Sequence, residues 1–193
     1  MILGVAPVGG GEKLAAAQEW ANGPVSWLLQ RWERRQLKRI RTEQELQEFV
    51  ATFWWRRDPS PQTPGNPFSE LFLERARQAD LLFAEERVPG SLSDRGGALL
   101  LLGPPAAMHR GPRSALTVGI PHGADSAHRP LSRQTVEVWR YALDQLPAPV
   151  RDALGKVSEV ELTFRVDEDG VTLVRGRDLL EDVAQAVVLR GRQ

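Results

Sequence analysis

The sequence predicts an α+β fold: N-terminal helices packed on a small, mainly antiparallel β-sheet with a C-terminal hairpin and helix. Three observations point there. Helical apolar stripes occupy residues 12–83, strand-like runs appear only after Pro89-Gly90, and no regular alternation of strand and helix runs through the chain. No internal repeat is present.

Residues 1–11 include three consecutive glycines, Gly9 to Gly11, and read as a flexible lead-in. A helix is predicted around 12–21, ended by Gly23-Pro24. Residues 1–24 are therefore assigned to an N-terminal arm and 25–193 to the folded domain. A second helix is expected around 30–40, where Trp32, Leu37 and Ile40 are roughly helical in spacing.

Thr42 opens a clearer element. TEQE places Thr42 at the N-cap and Glu45 three residues on, a capping box. Leu46, Phe49, Val50, Phe53 and Trp54 then form one apolar stripe. Asp58 precedes Pro59 and is pushed out of the helical region. DPSPQTPGNP, residues 58–67, carries four prolines and predicts a stiff, extended connection. Asn66 as N-cap and Pro67 at the first helical position restart a helix through Phe83.

ALLLL, residues 98–102, is a short apolar run bounded by glycines and suits a buried strand. On that reading Asp94-Arg95-Gly96 is a tight turn launching the strand, with Asp94 capping backbone N–H groups. A further strand is expected at 116–120. TVEVWRY, residues 135–141, alternates Val136, Val138 and Tyr141 against polar neighbours and reads as a strand. A short helix is expected at 148–154. EVELTFRV puts Val160, Leu162, Phe164 and Val166 on one face, and Asp167–Gly170 turns the chain back into VTLVRG. Asp178 is expected to cap a last helix with Leu179, Leu180, Val183, Ala184, Val187 and Val188 on its apolar side.

The chain has 193 residues, 25 basic and 25 acidic, so its formal net charge is zero. Global charge exerts no pull toward nucleic acid or an anionic membrane. With no cysteine, thiolate metal sites and thiol nucleophiles are excluded. The opening apolar run stops near Val8 with no basic residue before it, which predicts a cytoplasmic protein; removal of a leader would instead make it an exported one. No stretch approaches the ~18 apolar residues of a membrane span.

A set of motifs recurs along the chain: FWWRRDPSPQTPGNPF, then PGSLSDRGGALLLLGPP, then VEVWRY. Together they resemble the GWxTD-domain proteins of bacteria. The matching positions are Phe53, Trp54, Arg56, Arg57, Asp58, Pro59, Pro61, Thr63, Asn66 and Phe68 in the first motif. Gly90, Asp94, Arg95, Gly96, Gly103, Pro104 and Pro105 match in the second, and Glu137, Trp139 and Tyr141 in the third. The resemblance spans roughly residues 25–180. The namesake motif departs at two places: Ser91 stands where the family has Trp, and Ser93 where it has Thr. The resemblance implies a fold rather than a reaction. If the missing Trp bound a ligand, this chain has lost part of that site; if it served packing, another of the six Trp residues is expected to replace it.

No catalytic residue, metal set or cofactor emerges from the residues. The glycines at 90, 96 and 97 lack the strand-to-helix context and the lysine of a phosphate loop. His109, His122 and His128 fit no metal-ligand spacing. Arg56, Arg57, Asp58, Asp94 and Arg95, with Gly90 and Gly96, form a junction of turns. An Arg–Asp network there either fixes the fold or lines a small-ligand or anion pocket. RWERRQLKRIR, residues 31–41, holds six basic residues and one acid. Such a run is more often a solvated or protein-docking face than a nucleic-acid track. Trp20, Trp27 and Trp32, with Arg34, Arg35 and Lys38, have the composition of an interface with another protein chain. The leading expectation is a non-catalytic interaction or structural module. The competing one is a ligand-binding domain or enzyme using Arg56, Asp58, Asp94 and Arg95.

Overall fold

The computed structural model describes residues 10–84, 88–112, 135–146, 151–152 and 159–189. It is a mixed α+β fold with the helices first and a four-stranded antiparallel sheet after them. The helices are α1 (Gly10–Asn22), α2 (Arg31–Leu37), α3 (Glu43–Trp55), α4 (Pro67–Leu82) and α5 (Asp94–Leu102). The strands are β1 (Ala107–Pro112), β2 (Thr135–Ala142), β3 (Glu159–Asp167) and β4 (Gly170–Arg175), and α6 (Arg177–Ala186) closes the fold. Strand order follows chain order, β1-β2-β3-β4. No helix among the described residues is long and apolar enough to cross a membrane.

Local signals set most boundaries. Thr42 Oγ1 accepts from Glu45 N, and the Glu45 carboxylate accepts from Arg41 N and Thr42 N, so the start of α3 is closed by a reciprocal capping box. Those backbone donors hold the Glu45 carboxyl below its ordinary range. Asn66 Oδ1 accepts from Ser69 N while its Nδ2 donates to Trp54 O, tying the end of α3 to the start of α4. At the hairpin Gly170 takes φ 128°, a conformation that favours glycine.

The apolar run at 98–102 is a helix and not a strand. Ser93 is its N-cap, accepting from Gly96 N, and Gly103 ends it at φ 83°. Asp94 is therefore the first helical residue instead of a turn. Every residue from Gly96 to Leu102 is buried, because α5 sits at the centre of the fold against α4, β4 and α6. A helix buried all round loses its amphipathic stripe and looks like a buried strand. The Gly90–Leu92 3₁₀ turn brings α4 and α5 together. A side chain at Gly90 would strike Ala79 O, and one at Gly96 would strike Gly90 O.

Three smaller expectations also change. Tyr141 shares the core face of β2 with Glu137 and Trp139, opposite Val160, Phe164 and Leu162 respectively; Val136 and Val138 lie on the other face. Gly176, at φ 101°, is the N-cap of α6, and Asp178 falls in its first turn. The edge strand β1, which no sequence signal announced, pairs antiparallel with β2 from Ala107 to Pro112. The expected strand at 116–120 and most of the helix at 148–154 lie outside the described residues, as does most of the lead-in at 1–11. The rest of the arm contributes to the helical core: Ala17 is buried, and the Trp20 ring meets Phe49 and Phe53 edge-on at 5.8 and 5.0 Å.

Candidate binding surfaces

The Arg-Arg-Asp segment closes on itself and on α2. Arg57 lies beside Glu33, donating from Nη1 to Oε1 at 2.9 Å and from Nη2 to Oε2 at 2.8 Å, with both side chains inaccessible to solvent. The same two Nη atoms also donate to Phe53 O and Leu28 O, Nε has no hydrogen-bond partner among the described residues, and the guanidinium stacks 3.7 Å from the Phe53 ring centroid. Glu33 also accepts from Gln30 N, completing a capping box at the start of α2. Glu33 was not singled out in the sequence, although Gln30-x-x-Glu33 is the signal that marks it.

Arg56 stacks over Trp32 at 4.6 Å, and its carbonyl accepts from Leu189 N. Burial depresses the affinity of its guanidinium for the proton. Asp58 is buried and accepts from Ser60 N, holding the turn into the proline-rich connection.

Asp94 serves a different contact. Its Oδ2 accepts from Leu173 N at 2.7 Å and its Oδ1 from Arg177 Nη2 at 2.8 Å, so it joins α5 to β4 and α6. Arg95 lies over the Phe83 ring at 4.5 Å and 3.7 Å from Glu137 Oε2. The two halves of the predicted junction are linked through the 24–30 segment. Arg57 donates to Leu28 O, and Trp27 Nε1 donates to Ser91 O at 3.0 Å. The Trp27 ring also fills the space where a side chain at Gly97 would sit. Ser91, which stands where the resembled pattern has Trp, is buried beneath this contact.

Besides a shallow hollow of about 420 Å³ beside Trp20 and Trp54, two concave surfaces gather the sequence-predicted polar residues. The first is a groove of about 630 Å³ between α2 and α6, walled by Trp27, Trp32, Arg31, Arg34, Arg35 and Arg177 among others. Arg34 donates to Ser26 O. Among the described residues neither Arg31 nor Arg35 pairs with a carboxylate, and both are exposed. Gln30 Nε2 donates to Ala184 O and fixes the groove floor. Of the expected interface set, Trp27, Trp32, Arg34 and Arg35 meet here. Trp20 is turned into the α3 aromatic cluster, and Lys38 lies exposed beyond the groove lining. Arg31, from the same basic run, joins them, and Arg177 arrives only in three dimensions.

The second is a cleft of about 360 Å³ under β1, with Phe83, Leu99, Pro104, Met108 and Trp139 as its apolar walls. Arg95, Glu137, His109 and Arg110 supply its polar part. Five residues that carry the family resemblance, Arg95, Pro104, Pro105, Glu137 and Trp139, line it.

No protein-family model matches the chain, and no match was found among curated proteins or among solved structures.

Proposed function

We propose that this chain is a GWxTD-type protein acting as a non-catalytic interaction module, and that an acidic segment of another protein chain docks in the α2–α6 groove. The observation that carries this reading is the charge balance of the groove. Arg31 and Arg35 have no carboxylate partner among the described residues, Glu181 is the acid in the lining, and Arg177 is already matched by Asp94. Trp27 and Trp32 add flat apolar area beside these cations, the combination that anchors protein interfaces. The closed state of the Arg56/Arg57/Asp58 cluster supports a structural role for it, since Arg57 spends its guanidinium on Glu33 and two carbonyls.

Capture from the native source with quantitative mass spectrometry tests this. The Arg31→Glu/Arg35→Glu variant changes two exposed groups, so its melting temperature stays at the wild-type value. An acidic protein captured by wild type and lost with this variant is the expected result. Undiminished capture by the double variant removes the groove from consideration as the interface.

A further inference from the structure

We infer that the cleft under β1 binds a small amphiphilic carboxylate, with its apolar body between Phe83, Leu99 and Trp139 and its acid group at Arg110. The volume of about 360 Å³ lies within the roughly 300–1,000 Å³ typical of small-molecule sites. Its walls have the composition of such sites, mostly apolar with a few convergent polar groups. The rim leaves apolar surface in water: Met108 is 61% exposed and Leu82 is 67% exposed.

Charge selects the head group. Inside the cleft Glu137 is already engaged, its Oε1 accepting from Trp139 Nε1 at 2.6 Å and its Oε2 lying 3.7 Å from Arg95. Arg95 and Glu137 therefore face one another inside the cleft. Arg110 stands opposite Glu137 on β1, is exposed, and belongs to no ion pair among the described residues. The cleft thus carries at its mouth a cation with no carboxylate partner among the described residues, while Arg95 and Glu137 face one another within. An anion at Arg110 with an apolar tail beneath it satisfies both features, whereas a cationic amphiphile would meet Arg110 unfavourably.

The test uses the full chain with decanoate, decanol and decylammonium, measured by titration calorimetry and by the indole N–H signal of Trp139. Decanoate is expected to bind saturably and shift that signal. Decanol should bind about tenfold more weakly, and decylammonium weaker still. Arg110→Glu should weaken decanoate about tenfold while leaving decanol unchanged. Met108→Glu, a second exposed substitution, should weaken both. Melting curves of each variant establish that the fold is intact. Absence of saturable decanoate binding overturns the inference, as does binding that ignores both substitutions or fails to move Trp139. Loss of protein capture in the groove variant has no bearing on these outcomes, because that site lies between α2 and α6.

Discussion

Arg57 and Glu33, 24 residues apart in sequence, meet as a two-pronged ion pair from which solvent is excluded. The pair fastens the end of α3 to the start of α2. Removing one partner leaves an uncompensated charge in the core, which is the expensive way to break such a contact. Glu33→Ala is expected to destabilise the fold by about 3–5 kcal/mol in urea unfolding. Replacing both residues together by apolar ones of similar size should recover most of that loss. A Glu33→Ala change within ~0.5 kcal/mol of wild type would show that the pair is not buried in solution.

Asp94 holds the strand β4 and the helix α6 with one carboxylate. Asp94→Ala leaves the Leu173 amide without its acceptor and should destabilise by about 1–3 kcal/mol. Thermal melts measure the loss, and amide exchange localises it to Leu173. A melting temperature equal to wild type would assign Asp94 to a role other than fastening β4.

Gly90 and Gly96 are required for backbone contact rather than for ligand access. A Cβ at either position would overlap a backbone carbonyl, Ala79 O or Gly90 O, and backbone cannot swing aside. Gly90→Ala and Gly96→Ala should each destabilise by about 1–3 kcal/mol or more. Gly111→Ala is the control, since nothing lies within 4 Å of a Cβ built there. Equal stability of Gly96→Ala and Gly111→Ala would contradict the close approach.

Tyr141 is the only tyrosine in the chain, so its ionisation can be followed by phenolate absorbance alone. Burial pushes its phenol well above the ordinary value, against a smaller opposing pull from Arg75. The hydroxyl has no hydrogen-bond partner among the described residues. A raised folded-state pKa means that the unfolded chain releases this proton first. Stability is therefore at its full value below about pH 10 and falls as pH rises above it. Native protein should show no phenolate signal near pH 10, and the signal should appear on unfolding. Tyr141→Phe should abolish this contribution to the alkaline slope and be neutral or stabilising at pH 7, because no hydrogen bond is lost. A normal phenolate titration in the folded state would refute the burial.

Much of the fold is legible locally. The capping box at Thr42 and Glu45, the Asn66-Pro67 restart and the Asp167–Gly170 turn each rest on contacts within a few residues. Interactions of that range are written in adjacent side chains, so the sequence by itself determined these boundaries and with them the α+β class. The identity of 98–102 as helix was not settled that way. Its residues are buried on every side by α4, β4 and α6, and burial on all sides erases the periodicity that separates helix from strand.

The candidate sites belong to the tertiary structure. The Arg run at 31–35 was visible as a basic face, but Arg177 and the α6 wall that turn it into a groove arrive from the far end of the chain. Glu33, the one acid among the six bases of residues 31–41, gains its role only when Arg57 reaches it across the helix packing. Arg95 and Glu137 likewise come to face one another, with Arg110 outside any ion pair among the described residues, only when β1 and β2 are set against α5. The physical reason is common to all three. Charge balance and concavity are properties of groups within a few ångströms of each other in space, and packing of the apolar core decides which distant residues those are.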